Sequence, residues 1–563
     1  MAWDTETLTA PLVALRERLQ STPRGPQIEG STTTHRLVHE LVNQIDDYLL
    51  PRLANLDAPL LVGIGGSTGA GKSTITNSLV GATVTTSGLL RPTTRIPVLV
   101  CHPADEAWFV EGGVLPDLPR ISGSTTKGHG IRVVATDTLV EGLAVLDTPD
   151  IDSVEVANHE LAAQLLGAAD LWLFVTTAAR YADAVPWEYL ATAQERAIAL
   201  GAAVNRIPEG GENDVVTHFG RMLAANGLPD VSIFPIPETE LNDGRIPESH
   251  ISGIRWWLLD LTADATKRRN LVRSTVEGAV GSIPSRIELI VEGIEHEATA
   301  VSMLAAAAER EYRVALGTIT GRVEEGTLLR EEVLSRWQEF VGAGQVISAL
   351  QGGIARIRDG LRSVFIGGGS ATAEVRGELR DSLLAAVVAA ADDAADRTVE
   401  TWEISPGGNQ YLGEDTRILA RPSPELRTNT EHEIAQWQEY VLGLVRQQAE
   451  GKRLAARTLS LGINTIGVSL MVVMFAHTGG LTGGEVAVAG GTATVSQALL
   501  TAIFGESAVR DLAKQARTDL IARLERLMEA EAMRFTTRLA GGPTSEDLAL
   551  LASSAVALAE WEE

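Results

Sequence analysis

The 563-residue chain carries 73 Asp and Glu against 47 Lys and Arg, a formal net charge of −26. A nucleic-acid-binding surface is therefore not expected, since there is no excess of cations to displace phosphate counterions. The length exceeds what one hydrophobic core serves and predicts at least two domains. The single cysteine, Cys101, excludes an intrachain disulfide framework or a cysteine-based zinc site and fits a reducing cytoplasm, and Met1–Glu6 shows no signal-peptide pattern.

Residues 1–57 read as N-terminal helices, two segments either side of Ser21-Thr-Pro-Arg-Gly-Pro26. In the second, Leu37, Val38, Leu41, Val42, Ile45, Leu49 and Leu50 fall at helical spacing, and Pro51 ends or kinks it. Residues 58–262 alternate strand-like and helix-like runs. The strand candidates are Leu60–Ile64, Ile96–Cys101, Leu143–Leu146, Leu171–Val175, Ala202–Asn205 and Val231–Pro235. Such alternation predicts a mostly parallel α/β sheet that binds ligands at the C-terminal ends of its strands.

From 263 the strand signals stop, and 263–457 reads as a helical stalk. Ile287, Ile290, Ile294, Ala298, Val301, Ala305, Ala308, Tyr312 and Ala315 imply one helix of about 30 residues, with Pro284 near its start. Thr430 and Glu433 suggest a capping box opening a helix with Ile434, Trp437, Val441 and Leu444 on one face, after a Pro/Gly-rich loop at 403–425. In 506–563, Val509, Leu512, Ala516, Leu520, Leu524 and Leu527 mark a further amphipathic helix.

The segment 458–505 is unlike the rest. Thr458–Gly484 contains no charged residue, and after Glu485 neither does Val486–Gly505. Each half has the roughly 20 residues that a membrane helix needs. Lys452, Arg453 and Arg457 precede the segment, Arg510, Lys514 and Arg517 follow it, and Thr478–Gly484 forms the turn. Cations at both feet predict a membrane hairpin with both ends on the cytoplasmic side. Gly490, Gly491, Thr492, Thr494, Ser496 and Gln497 also suit the alternative, a buried helical pair inside the second domain. The fold class is thus α/β plus all-α: a P-loop domain with a mostly parallel sheet, then a long helical bundle containing an apolar hairpin.

The strongest chemical signal is Gly66-Ser67-Thr68-Gly69-Ala70-Gly71-Lys72-Ser73, a GxxxxGK[ST] loop between the apolar run Pro59–Ile64 and the helical run Ser73–Val80. Its glycines let successive N–H groups curl around a phosphate at a helix N-terminus. Gly66, Ser67, Thr68, Gly69, Ala70, Gly71, Lys72, Ser73 and Thr74 are the candidate phosphate-binding residues. Lys72 would reach the β- and γ-phosphates, and the Ser73 hydroxyl would ligate Mg²⁺.

Three further motifs bear on the chemistry. In Leu89-Leu-Arg-Pro-Thr-Thr-Arg-Ile96, Thr94 rather than Thr93 is placed to close over Mg²⁺ and the γ-phosphate, with an ordinary polar loop as the alternative. In Leu146-Asp-Thr-Pro-Asp150, Asp147 would hold the Mg²⁺ water shell. A GTPase carries Asp-x-x-Gly here, but Asp150 stands in the glycine's place, and its carboxylate would be repelled by phosphate. In Ala203-Val-Asn-Arg-Ile-Pro208, Asn205 and Arg206 occupy the place of the base-reading Asn-Lys-x-Asp motif. Pro208 replaces the guanine-pairing Asp, with Glu209 beside it. The expected cofactors are GTP and Mg²⁺, with ATP the open alternative. Lys72, Thr94 and Asp147 are the candidate catalytic residues, and Ser73, Thr94 and Asp147 the metal ligands.

The order of P-loop, Arg-Pro-Thr-Thr, Asp-Thr-Pro and Asn-Arg-x-Pro, then long helices broken by an apolar hairpin, resembles a bacterial dynamin-like GTPase of the actinobacterial kind, within the TRAFAC class of P-loop proteins. The segment Val175–Ala184 is similar to the one after the fourth strand in that superfamily. The resemblance implies GTP hydrolysis coupled to self-association through the G domains at the cytoplasmic side of the cell membrane. It further implies membrane lipid contacted through 458–505, a paralogous dynamin-like partner, and N-terminal helices packed with the C-terminal ones as a neck. Dynamins place Gln-Ser inside the loop where this chain has Thr68 and Gly69, so hydrolysis uses other groups or is slow. A nucleotide-dependent scaffold with little hydrolysis and a P-loop small-molecule kinase are the competing readings.

Overall fold

A computed structural model describes residues 5–85, 96–111, 113–121, 130–151, 156–195, 198–325, 337, 368–449, 462–476 and 490–559. It separates into two compact units. The first comprises Met1–Arg24, Glu29–His296 and Pro543–Glu563, and the second Gly25–Ile28 and Glu297–Gly542.

The first unit is built on a seven-stranded sheet of β1 (Leu60–Gly66), β2 (Val98–Cys101), β3 (Arg132–Ala135), β4 (Leu143–Asp147), β5 (Leu171–Thr177), β6 (Ala199–Ile207) and β7 (Ser232–Pro237). The strand order is β3-β2-β4-β1-β5-β6-β7. All neighbours are parallel except β2 and β4. Buried strands alternate their side chains between two faces. Leu60, Val62 and Ile64 of β1 and Leu171, Leu173 and Val175 of β5 enter one core, with Leu8, Leu12, Leu15, Val276 and Leu551 from the N-terminal, 265–281 and C-terminal helices. Leu61, Trp172 and Phe174 point into the opposite core, under Leu165, Leu190 and Phe219. The last helix, Ser545–Ala559, packs on the first, Thr5–Ser21, where Arg18 donates to the Leu550 carbonyl at 3.0 Å.

Two details refine the sequence reading. Pro51 follows a π-helical turn, Ile45–Leu49, and lies in the first turn of Leu50–Ala54. β3 was not expected from the sequence: it is a short edge strand paired only with β2, and its residues are half-buried. Cys101 is buried in β2, and burial pushes its thiol up to about 12, which keeps it protonated and unreactive.

The second unit is helical. Ile283–Glu325 is a single 43-residue helix with Pro284 in its first turn, and its residues from Glu297 onward belong to this unit. Gly368–Ile404, Leu426–Gln448 and Glu506–Thr536 pack around a core shared with it. Each large buried indole finds an acceptor: Trp402 donates to the Leu304 carbonyl at 2.9 Å, Trp437 to the Ala516 carbonyl at 2.8 Å, and Trp337 to the Ser496 hydroxyl at 3.0 Å. The capping reading at Thr430 is corrected. The helix already begins at Leu426, whose amide is capped by the Ser423 hydroxyl at 3.1 Å, so Thr430 sits buried in its interior.

Of the segment 458–505, expected from sequence to be a membrane hairpin, residues 462–476 and 490–505 are described. These form two helices, Ile463–Ala476 and Gly490–Phe504, of 14 and 15 residues. Among the described residues no helix is long and apolar enough to cross a membrane. In the first helix Ile466, Val468, Leu470, Met474 and Phe475 are fully buried. The reason is a chain reversal. Gly505, at φ +84°, turns the backbone so that Glu506–Thr536 runs back over the pair. Arg517, read from sequence as a cation at the hairpin's foot, instead donates to the Met474 carbonyl at 3.0 Å, at the far end of the first helix.

Candidate functional site

Strand β1 ends at Gly66 and the helix Lys72–Val80 begins six residues later, at the carboxyl edge of the sheet. β1 lies between β4 and β5, so the loop 67–71 is flanked by the ends of both strands. Gly69 and Gly71 adopt φ of +74° and +99°, conformations costly for other residues. A Cβ on Gly71 would lie 2.5 Å from Asn205 Nδ2. The loop therefore exposes backbone at the head of a nine-residue helix, whose first N–H groups have no intrahelical partner.

Lys72 is 5% exposed and folds back over the loop, donating to the Gly66 carbonyl at 2.8 Å and the Ser67 carbonyl at 3.3 Å. It also forms an ion pair with Asp150. The Ser73 hydroxyl donates to Asp147 Oδ2 at 2.8 Å. The Thr85 hydroxyl donates to the same oxygen, also at 2.8 Å. Asn77 holds Thr85 there, accepting from the Val84 and Thr85 amides at 2.9 and 3.0 Å and donating to the Thr85 carbonyl at 2.9 Å.

The remaining predicted residues fall as follows. Ala70 is buried, and its amide closes a turn on the Ser67 carbonyl at 3.1 Å. Thr68 and Gly69 form the outer part of the loop, and Thr74 is a partly exposed residue of the first helical turn. Asn205 donates from Nδ2 to the Ala70 carbonyl at 2.9 Å and accepts the Arg206 amide at 2.9 Å. Arg206 is exposed with φ +56°. Both sit at a register irregularity between Val204 and Ile207, and a bulge of this kind re-aims side chains. Here it turns Asn205 onto the 67–71 loop and Arg206 outward. Thr93 and Thr94 lie outside the described residues.

The structure adds residues that the motif reading passed over. Thr85 joins Ser73 on Asp147, and Asn77 positions it. Arg180, in the turn after β5, donates to the Thr68 carbonyl at 3.1 Å and pairs with Asp183 at 2.9 Å. The Arg-x-x-Asp spacing was visible within Val175–Ala184; its contact with the loop depends on the sheet order.

These residues fit a nucleotide with Mg²⁺. Ser67 Oγ, in the loop, is buried with no hydrogen-bond partner among the described residues. Two hydroxyls and one carboxylate converge at Asp147, the hard-oxygen set that Mg²⁺ accepts when phosphates and water complete its shell. Among the described residues no cluster of three or more His, Cys, Asp or Glu forms a separate metal site.

No family model matches the chain, and no curated protein matches it. Among solved structures, it is similar to a member of an oligomerised bacterial dynamin pair, described as a mechanism for long-range sensing and tethering of membranes. The identity is 10% and the TM-score 0.46, with 100% of this chain and 96% of that one covered. Era in complex with MgGDPNP and a 16S ribosomal RNA segment is 21% identical at a TM-score of 0.24, over 36% of this chain and 57% of that one. Toc33 from Arabidopsis thaliana with Mg²⁺ and GMPPNP is 14% identical at 0.23, over 47% and 97%.

Proposed function

We propose that this chain is a Mg²⁺-dependent GTP-binding protein of the dynamin-like kind, which hydrolyses GTP and self-associates at a membrane surface. The observation that carries the nucleotide reading is the joint geometry of Lys72, Ser73 and Asp147. The loop lysine lies over its own carbonyls, and the helix-start hydroxyl lies on a carboxylate from the neighbouring strand end. Bound there, GTP would present its phosphates to the loop amides and Lys72. Mg²⁺, held by Ser73 with Asp147 in its outer shell, would supply charge neutralisation at the β- and γ-oxygens. Asn205 and Arg180 hold the loop in shape, and Thr94 is the candidate to close over the γ-phosphate.

Guanine preference is supported by the place of Asn205-Arg206 near the carboxyl end of β6. Self-association through the nucleotide face, pairing with a paralogue, and action at the cytoplasmic side of the membrane are supported by the sequence resemblance. With Ile466, Val468, Leu470, Met474 and Phe475 of the first apolar helix and Leu499, Leu500 and Ile503 of the second buried, the membrane contact is proposed as peripheral rather than spanning.

The test is phosphate release from GTP and from ATP, with and without anionic liposomes, alongside co-sedimentation under GTP, GDP and no nucleotide. GTP turnover raised by liposomes supports the reading. Preference for ATP, or nucleotide-independent failure to sediment with vesicles, overturns the guanine or the membrane part respectively.

A further inference from the structure

We propose that Asp150 sets this site's choice between nucleoside diphosphate and triphosphate, holding the loop lysine in a state that disfavours the triphosphate; the inference rests on the nucleotide-binding reading above. An ammonium group has three N–H donors. Those of Lys72 are matched by three acceptors: the Gly66 carbonyl, the Ser67 carbonyl and the Asp150 carboxylate. The first two belong to the loop backbone itself. The third is carried on a side chain that is 37% exposed, and it is the one a phosphate would replace.

Asp150 has little room to leave with its backbone. On one side of it, the Thr148 hydroxyl donates to the Ile64 carbonyl at 2.8 Å. On the other, the Ile151 amide donates to the Gly66 carbonyl at 3.4 Å. These bonds tie the segment to β1 and to the loop entrance on either side of Asp150, so side-chain rotation is the smallest movement that takes the carboxylate off Lys72. A phosphate that reaches Lys72 therefore meets a carboxylate of like sign close by. The penalty grows with the charge placed there, and a triphosphate places more than a diphosphate. The partial exposure of Asp150 gives its carboxylate a solvated position to rotate into, which is what would admit the triphosphate.

The experiment is calorimetric titration of the full chain in Mg²⁺ with GDP and with the non-hydrolysable imido analogue of GTP, for the natural protein, Asp150→Asn and Asp150→Gly. Asparagine keeps the shape and removes the charge; glycine removes the side chain. Analogue affinity is expected to rise about tenfold in both variants while GDP affinity changes by less than about threefold, the pattern of a relieved like-charge contact at the terminal phosphate. If the natural protein binds nucleotide and the two affinities rise together, stay unchanged or fall, the role of Asp150 is overturned and the nucleotide site stands. If no form binds either nucleotide, the site reading fails and this inference with it.

Discussion

Asn205 donates its side-chain amide to the Ala70 carbonyl at 2.9 Å, so the sixth strand holds the phosphate loop from outside. Asn205→Ala leaves that buried carbonyl unmatched, and a loss of about 1–3 kcal/mol in denaturant stability is expected. Nucleotide affinity should fall as the loop loosens. Asn205→Asp should be worse than alanine, because it sets a carboxylate against a carbonyl. Chemical denaturation of the two variants, with titration of nucleotide, checks both statements.

Lys72→Ala should abolish nucleotide binding. Asp147→Ala and Thr85→Val should act differently, weakening affinity in Mg²⁺ while changing it little in EDTA, because both groups meet at the hydroxyl–carboxylate cluster with Ser73. Equal losses with and without metal would remove Thr85 from the metal shell.

Arg52 and Asp170 form a fully buried ion pair. Arg52 also donates to the Pro59 carbonyl at 2.9 Å, and Asp170 accepts the Leu61 amide at 2.8 Å, at the start of β1. Removing one partner strands a buried charge, so Arg52→Ala should cost about 3–5 kcal/mol. The double variant with Asp170→Ala should recover part of that loss in a thermodynamic cycle.

Asp47 gives a pH dependence with a definite sign. Burial pushes its carboxyl up from 3.8 to about 7; the Gln164 amide pulls it down, Asp117 and Asp46 raise it, and Arg120 lowers it. The folded state thus holds a proton that the unfolded chain releases near pH 4. The stability this contributes is full below about pH 4 and is lost as pH rises through about 7. Asp47→Asn keeps an acceptor for Gln164 and has no proton to lose. It should match the natural protein at pH 4 and exceed it by about 1–3 kcal/mol at pH 8, by urea denaturation.

Phe475 is fully buried and meets Trp437 edge-on, with ring centroids 5.9 Å apart. Phe475→Ala should destabilise the helical unit by about 3–5 kcal/mol. Gly467→Val should also destabilise it, because even a Cβ at this position would lie 2.3 Å from Leu442 Cδ2. A surface-inserted hairpin would show neither effect in solution, so thermal melts followed by tryptophan fluorescence separate the two arrangements.

Much of the sheet and of the loop was legible because it depends on local pattern. Leu60–Ile64 and Leu171–Val175 are apolar runs of strand length, and the glycines before Lys72 demand a turn that few other sequences support. The long stripe from Ile287 to Ala315 was legible for the same reason, being periodic over many turns. β3 was missed because Arg132–Ala135 is four residues at a sheet edge, too short to show alternation. Thr430 was misread as a cap because Ser423, seven residues earlier, already caps the helix. Thr85 carries no motif, and the Arg-x-x-Asp spacing at Arg180 names no contact; both matter because the fold brings them to Asp147 and Thr68.

By itself the sequence determined where the backbone must turn through the glycines before Lys72 and which segments are strands or helices, since these follow from backbone sterics and side-chain period. Only the tertiary structure decided what covers the apolar pair at 463–504. Hydrophobicity says that such a surface must leave water, and it does not distinguish lipid from protein. The chain turns at Gly505, and Glu506–Thr536 packs on both Ile463–Ala476 and Gly490–Phe504, a contact between segments that no local pattern encodes.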